Sequence, residues 1–369
     1  MPINDQEFIN FKIHTQYSIC EGAVKIDELA NYCKNNKIKA AGICDSFNLC
    51  GALEFAEKIS KSGTQPIIGT QINFSYKNII AKLPLFASSE KGYKNLTKLS
   101  TKSYLSIDEI SDPHCNLEDL YFYSKDLILL SGSINNFFGE LFKSNKIKEI
   151  EDIIKKISTV FKDRFYLEIQ RHNDTGEKSF EEFLIKLSSK FDLPLIASQE
   201  IYYMESDMAE AHDALICVGE KTFVDDINRI KLNGNHYIKD SDELKKLYED
   251  IPEALKNNYN FPFRFHYKPK KSKPILPSIK TKNTSSTEAE LEAQAKTGLK
   301  FRLDNFIMKK NKNAEKDNLI TLYQKITRII KKNASKFAAG PFSGLTAQPT
   351  GPFSSLTASP TDPFGPSTF

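Results

Sequence analysis

Short apolar runs recur along the chain at Phe8 to His14, Ala40 to Cys44, Pro66 to Phe74, Ile79 to Ala87, Leu127 to Ser131, Phe165 to Ile169 and Pro194 to Ser198. Each has the length of a buried strand. Between them lie stretches with apolar residues at helical spacing. Ile26, Leu29, Ala30 and Cys33 share one face over Lys25 to Lys34, and Leu53, Ala56 and Ile59 share one over Gly51 to Ser60. Strand and helix alternate, so parallel βα units are the economical expectation, and runs such as Leu127 to Leu130 are apolar enough to be covered on both faces. A barrel is preferred to an open doubly wound sheet because His14, Asp45, Gln71, Ser133, His172 and Glu200 fall at or near the carboxyl ends of predicted strands, where a βα barrel builds its site. The glycine-rich turn that a dinucleotide fold would need after the first strand is absent.

The pattern changes after Tyr267. Lys268 to Pro274 is a basic, proline-broken run that reads as a solvated linker or as a phosphate contact. Glu288 to Leu303 then carries Leu291, Ala295, Leu299 and Leu303 at helical spacing, a face that asks for a packing partner. Gly340 to Thr350 repeats as Gly351 to Thr361 and begins again at Asp362, a proline-rich tract expected to be disordered. The expected boundaries are 1–267 for the barrel, 268–286 for a linker, 287–335 for a further partial segment and 336–369 for the tail.

Charge and cysteine usage narrow the class. With 51 basic and 47 acidic residues, the net charge of +4 gives no global nucleic-acid signal. The six cysteines have no CxxC or zinc-ribbon spacing, which suits reduced thiols. No leader pattern opens the chain and no run approaches the roughly 18 apolar residues of a membrane span, so a cytoplasmic protein without membrane contact is expected. There is no GxSxG elbow, Walker loop or HExxH.

Several blocks are more specific. They are HTQYSICEGAVKIDEL at His14 to Leu29, CDSFNLCGALEFAEK at Cys44 to Lys58, QPIIGTQ at Gln65 to Gln71, KGYKNLTKLSTKSY at Lys91 to Tyr104, LILLSGS at Leu127 to Ser133 and DIPEALKN at Asp250 to Asn257. Together they resemble the polymerase and histidinol phosphatase (PHP) family, in the branch found at the N-terminus of bacterial DNA polymerase III alpha subunits, from Phe8 to about Leu303.

The resemblance implies an α/β fold, a distorted (β/α)7-type PHP barrel, followed by the start of a polymerase palm that this chain does not complete. It implies a parent role in DNA-templated replication by a magnesium-dependent nucleotidyltransferase acting on DNA, with the proofreading exonuclease subunit as partner. The palm carboxylates of the family lie beyond the point where the pattern ends, so no polymerisation and no cofactor are expected of this chain. Metal-bearing members hold a divalent cluster at the barrel mouth. Carried over one at a time, those positions are Lys12, His14, Glu21, Ser46, Gln71, Lys82, Ser133, Glu200 and Tyr202, with Asp45 and His172 beside them. Only His14, Glu21 and Glu200 are ordinary ligands, since a protonated lysine has no lone pair to give. A vestigial pocket is therefore expected, with no catalytic residue; a metal-dependent phosphoesterase or 3′–5′ exonuclease is the alternative. Lys12 and Lys82 either replace the lost positive charge, pairing Glu21, Asp45 and Glu200, or point into solvent. His14, His172 and His212 have a plain structural reading as well.

Overall fold

The computed structural model describes residues 7–107, 111–272, 287–307, 321, 323–329 and 332. The predicted tail at 336–369 and most of the predicted linker lie outside these residues. Two compact units divide at Ser272, so the first five residues of the expected linker belong to the first unit. There Pro269 is buried and Lys268 donates to Ser60 Oγ at 2.9 Å. In the second unit, the helix Thr287–Arg302 coincides with the predicted one, but Leu291 is left 48% exposed.

Among the described residues of the first unit, nine strands form one sheet. They are β1 (Lys12–Ile13), β2 (Ala40–Ser46), β3 (Gln65–Tyr76), β4 (Ile79–Ala87), β5 (Cys115–Asn116), β6 (Leu127–Leu130), β7 (Phe165–Ile169), β8 (Leu195–Ala197) and β9 (Glu200–Ile201). The order is β8-β7-β6-β4-β3-β2-β1-β9, with β5 paired to β3 off this path. Its two extremes, β8 and β9, are separated in sequence only by Ser198 and Gln199. The sheet thus curls until one chain segment serves both edges, and that segment is the seam of the distorted barrel. Ser198 N–H donates to Ile169 O on one side of the seam, and His14 N–H donates to Ile201 O on the other.

The expectation of uniformly parallel strands fails at β4, which runs antiparallel to both β3 and β6. The reason is chain length. Only Lys77 and Asn78 separate β3 from β4, enough for a hairpin turn and far too few for a helical crossover. The first predicted strand also shortens, because both backbone groups of Ile9 are taken by a side chain. Ile9 N–H donates to Asn258 Oδ1 at 2.8 Å, and Asn258 Nδ2 donates to Ile9 O and Ala197 O, both at 3.0 Å. Asn258, on the helix Pro252–Asn260, thereby ties the approach to β1 to the end of β8. Asn258→Ala should cost about 2–3 kcal/mol in urea denaturation, since each buried backbone group left unpaired costs roughly 1–3 kcal/mol.

Strand alternation positions the site. A cluster of Cys44, Ile67, Phe86, Ile128, Leu130, Tyr166 and Ile196, joined by Phe261 and Phe265, draws on six strands and plugs the barrel interior. Two residues further on, toward the mouth, the same inward faces carry polar groups: Ser46 after Cys44, Glu168 after Tyr166 and Ser198 after Ile196. Gln71 lies four beyond Ile67, and Lys82 lies four from Phe86 on the reversed strand. The outward faces, with Ile13, Ala41, Ile43 and Ile68, pack on Ile26, Leu29, Phe55 and Ile59 of the helices Ile26–Asn35 and Ala52–Lys61.

Candidate functional site: a charge-balanced pocket at the barrel mouth

Lys12 is the floor of the pocket and is completely buried. Parallel pairing of β1 with β9 sets it opposite Glu200, and barrel closure brings Glu168 from β7 to its other side. Lys12 Nζ lies 3.3 and 3.4 Å from the two Glu168 oxygens and 3.5 Å from Glu200 Oε2. Gln170 and Ser198 also donate to Glu168, and Gln71 donates to Glu200. Burial by itself would lower the Lys12 pKa, but the two carboxylates outweigh it and raise it. Burial would likewise raise Glu200, yet the Lys12 ammonium and the His14 hydrogen bond hold it well below the usual carboxylate range.

His14 completes the balance. Its Nε2 is 3.0 Å from Glu200 Oε1, an acceptor, and its Nδ1 is 3.2 Å from Ser18 Oγ, whose single hydrogen goes to Asp45 Oδ1 at 2.8 Å. Gln71 Nε2, an amide donor whose own carbonyl oxygen accepts from Asn136, also lies 3.1 Å from His14 Nε2, so that nitrogen sits between a carboxylate and an amide. Lys12 thus stands between Glu168 and Glu200, and His14 is bonded to the second of them.

Nearer solvent, Lys82 contacts Glu21, donates to Ser46 Oγ at 3.1 Å and lies 4.9 Å from the Phe47 ring centre. Ser46 Oγ in turn donates to Glu21. Burial would raise the Glu21 carboxyl, but Lys82 and His14 together lower it. The reading in which Lys12 and Lys82 point into solvent is excluded by these contacts. Asp45 departs from expectation in the other direction. It is one residue out of phase with the inward face and meets no lysine; it accepts from Thr15 N–H at 2.6 Å, from the Thr15 hydroxyl and from Ser18. Burial raises its carboxyl against those hydrogen bonds. Its work is to hold the turn after β1.

An aromatic column stands over the pocket. The Tyr202 ring stacks on His14 at 4.5 Å and on His212 at 5.5 Å, with His236 beside it at 5.4 Å. His172 stacks on His236 at 4.1 Å. These imidazoles are spent on backbone: His172 Nε2 accepts from Glu200 N–H at 3.1 Å, His236 Nδ1 bonds Glu200 O at 3.0 Å and His212 Nε2 bonds Glu21 O at 2.7 Å. Burial, with His236 and Lys239 nearby, pushes His172 well below the ordinary histidine value. Ser133 is farther round the rim, linked through Asn136 to Gln71. Gln71 itself sits within β3 and not at its end.

Glu168, Ser18, Thr15, Ser198 and His236 were missed by sequence reasoning. The first had a visible signal, a lone acid within the apolar run Phe165 to Ile169 and in phase with the interior. Thr15 and Ser18 had none, because their roles depend on how the turn folds over Asp45.

A divalent cluster does not fit this donor set. Lys12 occupies the space between Glu168 and Glu200, Lys82 pairs with Glu21, and His14 Nε2 is already engaged by Glu200 and Gln71. Among the described residues, no three His, Cys, Asp or Glu side chains come together as metal ligands.

Comparison with known proteins agrees with the fold. The PHP domain model matches residues 10–172. DNA polymerase III subunit alpha of Caulobacter vibrioides is 34% identical over 311 residues, covering 82% of this chain and 27% of that protein. The corresponding subunits of Rickettsia bellii and Borreliella burgdorferi are each 33% identical, over 81% and 82% of this chain and 25% and 28% of theirs. The chain therefore spans about a quarter of the length of these relatives. Among solved structures, a candidate metal-dependent phosphoesterase from Bifidobacterium adolescentis matches at 10% identity and a TM-score of 0.37, over 52% of this chain and 86% of that one, too distant to carry an argument. With its barrel, its pocket positions and these relatives, the chain belongs to the PHP domain family and is homologous to the N-terminal region of DNA polymerase III alpha subunits.

Proposed function

We propose that this chain is a non-catalytic PHP module of a cytoplasmic DNA replication polymerase, with a degenerate metal pocket held shut by internal ion pairs. Its role is to scaffold the polymerase and to dock the proofreading exonuclease. The observation that carries this reading is the Lys12 ammonium, fully buried between Glu168 and Glu200. A divalent ion there would have to displace a charge that already satisfies both carboxylates, and a protonated amine offers it no lone pair. Template-directed DNA synthesis and its magnesium requirement belong, on this reading, to the polymerase family as a whole.

Inductively coupled plasma mass spectrometry of the dialysed protein is expected to find well under one zinc, manganese or magnesium ion per chain. Tightly held stoichiometric metal, or manganese-stimulated phosphoester cleavage that disappears in Glu200→Ala, would establish the phosphoesterase instead.

A further inference from the structure

The helix Ala209–Glu220 runs apolar from Ala214 to Val218, yet only His212 and Cys217 on it are buried. Ala211, Ala214, Leu215 and Val218 follow the i, i+3, i+4, i+7 spacing of a packing ridge, and three of them are exposed, Val218 at 70%. A helix apolar on this outer stripe ordinarily has a neighbour on it. The loop that follows extends the surface, with Phe223 79%, Ile227 96% and Ile230 57% exposed. This loop is pinned. Arg229 makes a bidentate pair with Asp213 at 2.6 and 2.7 Å and donates to Val224 O, while Phe223 N–H donates to Asp226 Oδ2. Its apolar side chains are thus held outward by an ordered backbone. They also continue the site's rim, because Gly219 lies against Cys20, next to the 81% exposed Ile19. The charge around the surface is one-sided: Asp207, Glu210 and Glu220 flank the ridge and Asp225 and Asp226 the loop, against Lys221 and Lys231.

We infer that the outer ridge of the helix Ala209–Glu220, together with the loop through Ile230, docks a basic amphipathic helix of a partner protein. The alanines let a second helix approach closely, Val218, Phe223 and Ile227 receive its apolar stripe, and the acidic flanks select lysine and arginine on its edges. This deepens the docking role proposed above by naming its face.

The test uses the full chain and a fluorescein-labelled 18-residue helix, with leucine at i, i+3, i+4 and i+7 and lysine elsewhere, followed by anisotropy. The lysine helix should bind at least tenfold more tightly than one with glutamate in place of lysine. The exposed-site variants Val218→Lys and Ile227→Lys should each weaken binding at least tenfold with no change in thermal midpoint. Equal binding of both helices, variants that bind like the parent, or sedimentation showing a dimer that Ile227→Lys dissolves would overturn the inference; the last would assign the face to a second copy. Titration with the proofreading exonuclease separates the two levels. If the variants keep exonuclease binding, the face is wrong and the docking role stands, whereas a parent chain that binds the lysine helix but no exonuclease loses the role and keeps the face.

Discussion

Lys12→Met is expected to destabilise the barrel by about 3–5 kcal/mol at neutral pH, the usual cost of breaking a buried ion pair from one side. Methionine fills much the same volume, so the loss reports charge more than packing. Glu168 and Glu200 would face each other across an apolar side chain, left with the neutral donors Gln170, Ser198 and Gln71 and the His14 ring as partners. The pH dependence distinguishes this from simple misfit. In the parent, Glu200 is held below its ordinary range, so its contribution is present above the unfolded value and is lost as pH falls through the folded one. In Lys12→Met that contribution largely disappears. Urea denaturation should therefore show the gap between parent and variant narrowing as pH drops below about 4.5, whereas a packing defect would leave it constant. Lys82→Met is the internal comparison. Its pair with Glu21 is partly open to solvent, at 23% and 28% exposure, so the cost should be about 1 kcal/mol or less.

Acid should unfold the protein in two stages. His172 and His212 are both pushed down by burial, so the folded state keeps them neutral while the unfolded chain takes up protons below about 6.5. Stability depends on pH with the sign of that difference, and where the unfolded state binds more protons stability falls as pH falls. The first stage thus opens just below the histidine range. The second follows below about 4.5, where protonation of Glu200 and Glu21, both held low, costs their ion pairs. Asp45 works the other way, since its raised carboxyl takes up a proton more readily when folded, and it blunts the second stage slightly. Thermal midpoints measured from pH 8 to pH 4 should show both. His172→Gln keeps an acceptor for Glu200 N–H and a donor for Asn235 O, so it should flatten the first stage and leave the second; an unchanged first stage would show that the His172 ring is not its source.

Most of the barrel was legible because its strands are short, apolar and separated by helices with one clean stripe. The antiparallel β4 was legible too, in the few residues between two apolar runs, but the rhythm of the other elements obscured it. In the site, His14 and Glu200 could be read from their place near strand ends, and Lys12 only through the family resemblance. Their partners could not, because Glu168 lies 156 residues from Lys12 and meets it only when the sheet closes. Asp45 was misread for a simpler reason. Being next to Ser46 in sequence puts it on the opposite face of the strand, and phase matters more there than proximity to a strand end.

The seam at Ser198 and Gln199 bears on how the molecule is made. Because one segment supplies both edges of the sheet, closure on the β1 side spans most of the domain: His14 finds Glu200 across 186 residues of chain, whereas β8 meets β7 close by in sequence, and Asn258 locks the joint later still. Such long-range pairing slows folding. Until then the growing chain presents β1 and β7 as open edges, the kind of surface that pairs with other chains. Ribosome-bound intermediates ending before residue 200 should accordingly be the species that recruit chaperones, and slowing synthesis just after Ile201 should raise the yield of native protein.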